Sequence, residues 1–142
     1  MKTYCYILLI AFGLLFSCHP KPTIVQNEKP KLESDTIKIA NDEIAYEITI
    51  IDAGFSRWFN SYARPRGFYS QNFLETRNIF WVTEWNRRAL NPQQYNPNLY
   101  EIPINYTGNT NYGYEVNYML YNYLVYFQVT NKQQLGGFIP RI

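Results

Sequence analysis

The rhythm of apolar and polar positions becomes legible near Glu43. In EIAYEITIIDAGF, Ile44, Tyr46, Ile48 and Ile50 alternate with Ala45, Glu47 and Thr49, and this period of two predicts a half-buried strand. Asp52 follows, placed to cap the backbone N–H groups of a short helix from Gly54 to Tyr62. That helix sets Phe55, Trp58, Phe59 and Tyr62 on neighbouring turns. ARPRGFYS then reads as a turn from Arg64, with Pro65 second and Gly67 fourth.

From Ser70 the period changes. Ser70 or Asn72 can cap a helix, Glu75 completes a capping box with Asn72, and Leu74, Trp81, Val82, Trp85 and Ala89 share one stripe. A helix from Gln71 to Asn91, ending before Pro92, follows. After two Asn-Pro turns, YEIPINY alternates weakly as a short edge strand interrupted by Pro103. The stretch from Tyr114 to Leu135 has no Gly or Pro, so its length favours a helix over a strand, predicted from Tyr112 to Gln134. Apolar on two opposite faces, it is expected between layers or covering the core.

The strongest apolar run lies at the other end. Cys5 to Phe16 is too short for a spanning helix, which needs about 20 residues. With Lys2 before it and Ser17-Cys18 behind, it has the layout of an export signal. Leu15-Phe16-Ser17-Cys18 resembles a bacterial lipobox, with Phe16 bulkier than usual at its place. The resemblance implies cleavage before Cys18 and a diacylglycerol on its thiol. Two or more acyl chains hold a protein stably on a membrane, at ~0.8 kcal/mol per buried CH₂. The expected organisation is a signal peptide over 1–17, a lipidated Cys18 and flexible tether over 18–42, and one globular domain over 43–142. The tether, with Pro20, Pro22 and Pro30 among Lys and Glu, has no acidic cluster behind Cys18. The expected place is the bacterial cell envelope, at the outer membrane and facing the periplasm.

Composition narrows the chemistry. Without Lys2, 12 basic residues face 11 acids, so no overall field attracts nucleic acid. Cys5 leaves with the signal and Cys18 is acylated, so no disulfide supports the fold. Aromatic residues make up 18% of the chain, enough to build much of a core from rings. The fold class expected is α+β, mostly helical, two long helices packed with one or two short strands.

The only histidine, His19, adjoins Cys18, so the domain holds no Ser-His-Asp or Cys-His arrangement and no imidazole or thiolate metal ligand. No cofactor and no metal is expected. A pair of carboxylates drawn from Glu75, Glu84, Glu101 and Glu115 would suit a glycan-acting enzyme, the alternative reading, although Glu75 and Glu84 fall on opposite faces of one helix. Arg77, Trp81, Glu84, Trp85 and Arg88 form the candidate ligand site, because Arg beside Trp recognises planar anions or sugars. Glu84 and Arg88 also stand four apart in the orientation of a helical ion pair, which is the structural reading of the same residues. The expected function is a lipid-anchored binding or structural module with an envelope protein or glycan as partner.

YEITIIDAGFSRW, YSQNFLETRNIFWVTEWNRR and YGYEVNYMLYNYLVYF together resemble the DUF6146 family of small bacterial lipoproteins over about Ile44 to Leu135. Its Glu-Trp-Asn-x-Arg and Tyr-Gly-x-Glu-x-Asn elements correspond to Glu84–Arg88 and Tyr112–Asn117, while Ala53 stands where the family usually has Pro. The resemblance implies a lipoprotein and no particular activity.

Overall fold

Between Val116 and Gln128 every side chain but Tyr123 is buried, so the last helix is the axis about which the rest is arranged. A helix apolar on all sides needs covering on all sides. In this computed structural model, which describes residues 36–142, that cover comes from a hairpin and two other helices. Strands β1 (Thr36–Asn41) and β2 (Tyr46–Ile51) form an antiparallel pair with Ile37 opposite Ile50 and Ile39 opposite Ile48. Helices α1 (Ala53–Tyr62), α2 (Gln71–Ala89) and α3 (Gly113–Thr130) follow. The domain is α+β, with α3 packed on α2, α1 and β1.

The sequence reading placed the start of the folded part at residue 43, whereas β1 begins at Thr36. Ile37 and Ile39 bury on α3 and belong to the fold, although their run is short and lies behind a charged, Pro-containing stretch. Cys18, the signal and the rest of the tether lie outside the described residues. The β1–β2 connection is one 3₁₀ turn, Asp42–Ile44, in which Asn41 accepts from Glu43 N and Ala45 turns left-handed at φ 49°.

Asp52 caps α1 as expected, its Oδ1 accepting from Gly54 N at 2.8 Å. The next turn runs from Pro65, whose carbonyl accepts from Phe68 N. Gly67 takes its third position at φ 82°, which non-glycine residues rarely adopt. Of the two candidate caps for α2, Ser70 is the one used. The predicted strand over 100–106 does not form. Pro103 lacks a donor, and α2 side chains take the backbone instead: Trp85 Nε1 donates to Ile102 O, and Asn86 bonds both O and N of Ile104. Helix α3 stops at Thr130, four residues before the expected end. Lys132 at φ 53° lets Gln133 N reach back to Gln128 O.

Candidate functional site

Phe73, Arg77 and Trp81 follow one another by four along α2 and so line one side of it. Against them lie Tyr69 from the preceding loop, Tyr121 from α3 and the C-terminal stretch Gly137–Arg141, enclosing a cavity of about 430 Å³. Tyr69 stacks on Phe73 with centroids 4.5 Å apart and planes 9° from parallel, and Trp81 stacks on Tyr121 at 5.3 Å. Burial pushes the Tyr121 phenol well above its usual range.

Arg77 lines this cavity between two rings. Its guanidinium carbon stands 3.6 Å from the Phe138 ring centroid and 4.8 Å from that of Phe73. Such ring faces attract the charge and leave the N–H groups in the plane of the guanidinium uncommitted. Among the described residues none of them meets an acceptor.

The other sequence candidates divide into separate places. Trp81, 1% exposed, donates to Phe138 O and serves as a floor rather than an open platform. Trp85 is locked edge-on to Phe127 and Tyr100, and Tyr118 is buried against Phe59 and Tyr114, so these rings are interlocked and line no open groove. The accessible rings are Tyr69, Phe73 and Phe138, partly buried residues that carried no sequence signal beyond being aromatic.

Glu84 and Arg88 meet, as their spacing predicts, with Arg88 Nε 2.7 Å from Glu84 Oε1. Arg88 also donates to the Tyr100 hydroxyl and to Gln134 O, fastening α2 to the loop on one side and to the stretch behind α3 on the other. Sequence reasoning missed Arg87, which takes Glu84 in a two-pronged pair and donates to the Tyr95 hydroxyl. Bonding to Arg87, then to Arg88, holds the Glu84 carboxyl near pKa 2 against a burial effect of opposite sign.

A second polar cluster went unnoticed because asparagines on apolar stripes read as interruptions. Asn78 and Asn117 are both fully buried where α2 meets α3. Asn78 Nδ2 donates to Asn117 O, the Tyr106 hydroxyl donates to Asn117 Oδ1 at 2.6 Å, and Asn117 Nδ2 reaches Gly113 O. Burial, with the Glu75 charge nearby, pushes the Tyr106 phenol up to about 12. Asn78 Oδ1 is left without a partner among the described residues.

Of the four carboxylates proposed for catalysis, Glu115 is engaged by Arg66, Glu75 by Gln71 and Glu84 by Arg87 and Arg88, while Glu101 has no ion-pair partner among the described residues. Among the described residues no three His, Cys, Asp or Glu side chains gather as a metal site, and no helix is long and apolar enough to cross a membrane.

Residues 6–139 match the model of DUF6146, a family of unknown function, and the chain belongs to that family. No curated protein and no solved structure matches it.

Proposed function

We propose that the protein is a lipid-anchored binding module of the bacterial cell envelope. Cys18 would hold it to the membrane, and the cavity around Arg77 would take an acidic sugar of a glycan. The observation that carries the reading is Arg77 itself, poised over Phe138 and Phe73 with no acceptor for its donors among the described residues. A carboxylated sugar supplies what those groups lack, a planar anion for the guanidinium and apolar C–H faces for the rings. Arg141, at the rim of the same cavity, adds a second positive charge.

Support for binding without catalysis comes from the acids. A general acid needs a raised pKa, and the Glu84 carboxyl is held near 2. Glu84 and Arg88 are thereby read as parts of the fold, Trp85 as core and Trp81 as the buried floor beneath the cavity, leaving Arg77 as the ligand-facing member of the candidate set.

The test is calorimetric titration of the domain with a hexuronic-acid oligosaccharide and with its neutral counterpart, Trp81 fluorescence being followed in parallel. The acidic sugar should bind, the neutral one should bind at least about tenfold more weakly, and Arg77→Gln should abolish the difference. Equal or absent binding of the two sugars, or an Arg77→Gln variant that still discriminates, contradicts the reading.

A further inference from the structure

A two-stranded sheet has two free edges, and here they are treated differently. Strand β1 lies against α3. Along β2, every residue from Ala45 to Asp52 borders a groove of about 690 Å³, while no residue of β1 does. A groove on one face of the hairpin would touch alternate residues of both strands, so this one runs along the outer edge of β2. Alternate residues of β2 turn their N–H and C=O groups into it, away from β1.

The opposite wall is the irregular stretch 98–105, whose first residues close a turn on Asn96 O, and it does not use those groups. Its backbone is committed to α2 through Trp85 and Asn86, and to β2 only through the side chain of Tyr46, whose hydroxyl donates to Asn105 O. Tyr123 and Phe127 border the groove from α3. The Tyr123 hydroxyl has no hydrogen-bond partner among the described residues. An exposed strand edge is normally blunted or covered; this one faces an open trough, apolar at Leu99, Tyr123 and Phe127 and polar at Glu47, Glu101 and Asn105.

We propose that the outer edge of β2 docks an extended, cationic peptide segment of a partner protein, which adds as a third strand. Main-chain pairing to β2 would supply affinity, and alternate apolar side chains would settle on Tyr123 and Phe127. Charge selects the partner. The ionisable acids and bases of the groove are Glu47, Asp52 and Glu101, with no Lys or Arg among them. Lys38 offsets Glu47 at the surface and Asp52 is occupied as a cap, whereas Glu101 has no ion-pair partner among the described residues. The same charges give a second copy of this chain no complementary cation, because pairing β2 with β2 about a two-fold axis brings two acidic grooves together with no Lys or Arg in either.

The site shares no residue with the cavity around Arg77, so the two proposals fail separately. The probe is an octapeptide of alternating Lys and Val, with alternating Glu and Val as control, added to the isotope-labelled domain. The Lys peptide should shift the resonances of residues 45–52 and 98–105 and slow hydrogen exchange at alternate β2 amides. Glu101→Lys should weaken it at least about tenfold, and the control should leave the spectra unchanged. No shift with the Lys peptide, equal shifts with both peptides, or unaltered affinity in Glu101→Lys overturns the proposal. So does dimerisation through β2, seen by light scattering, which would make the occupant a second copy.

Discussion

The Tyr126 hydroxyl donates to Asp52 Oδ1 at 2.9 Å, and the same oxygen caps α1 through Gly54 N. One carboxylate thus ties the C-terminal part of α3, the domain's axis, to the start of α1. Burial, and then this bond, pushes the Tyr126 phenol up to about 12. The arrangement leaves no room at position 54, where a Cβ would collide with that hydroxyl. Gly54→Ala should cost about 1–3 kcal/mol in urea denaturation, as overpacking does. In a Tyr126→Phe background, which lacks the obstructing oxygen, the added cost should fall below about 1 kcal/mol. An unchanged cost in both backgrounds would show that the hydroxyl is not what Gly54 makes room for.

At Glu84 the two arginines should differ. The Arg87 side chain is 49% exposed and the Arg88 side chain 12%. Arg87→Ala should therefore change stability little, because solvent screens an exposed pair. Arg88→Ala leaves the Tyr100 hydroxyl and Gln134 carbonyl without their donor and should cost roughly 3 kcal/mol. Glu84→Ala combined with Arg88→Ala should cost less than the sum of the single changes. Strict additivity in that double-mutant cycle would argue against a structural pair.

Acid should expose the same contact. The Glu84 carboxyl sits near 2 in the fold against an ordinary 4.5, so the folded state binds its proton less readily than the unfolded chain. Its contribution is present above about pH 4.5 and is lost as pH falls toward 2, the direction of proton uptake by the unfolded state. Glu84→Gln should flatten the part of the stability–pH profile below 4.5. A profile equally steep in wild type and variant would assign the acid sensitivity to other carboxylates.

Trp81 and Trp85 are 1% and 6% exposed. Replacing either by Ala should cost ~3–5 kcal/mol. The half-buried Trp58 should cost less. Losses below about 1 kcal/mol at Trp81 would mean that its ring is not part of the packed core.

Helices α1 and α2 and strand β2 were legible because each combines a period with a stop signal: Asp52 or Ser70 before a helix, Pro65 or Pro92 after one. The last helix was legible by length, but its end was not, since Lys132 adopts a left-handed φ that no Gly or Asn announces. Strand β1 escaped notice because only two buried isoleucines mark it. The stretch 100–106 misled because alternation is also what an irregular segment shows when Tyr100 and Tyr106 bury on one side.

The candidate site was legible only in its local part. Glu84 and Arg88 are four apart on one helix, so their meeting follows from helical geometry alone. What surrounds Arg77 depends on Tyr121, 44 residues on, and on Phe138 beyond that, contacts set by how the chain returns. Aromatic abundance likewise could not separate the interlocked rings of Trp85 and Tyr118 from the accessible ones of Tyr69 and Phe138.

The functional reading depends most directly on where the chain is held, and mass spectrometry of the intact protein purified from cell membranes measures that. The expected species is a polypeptide that begins at Cys18 and carries the added mass of two or three acyl chains. Cys18→Ala should accumulate as an uncut precursor that takes up no labelled fatty acid. A mature chain with an unmodified N-terminus, or fatty-acid labelling that persists in Cys18→Ala, would contradict it.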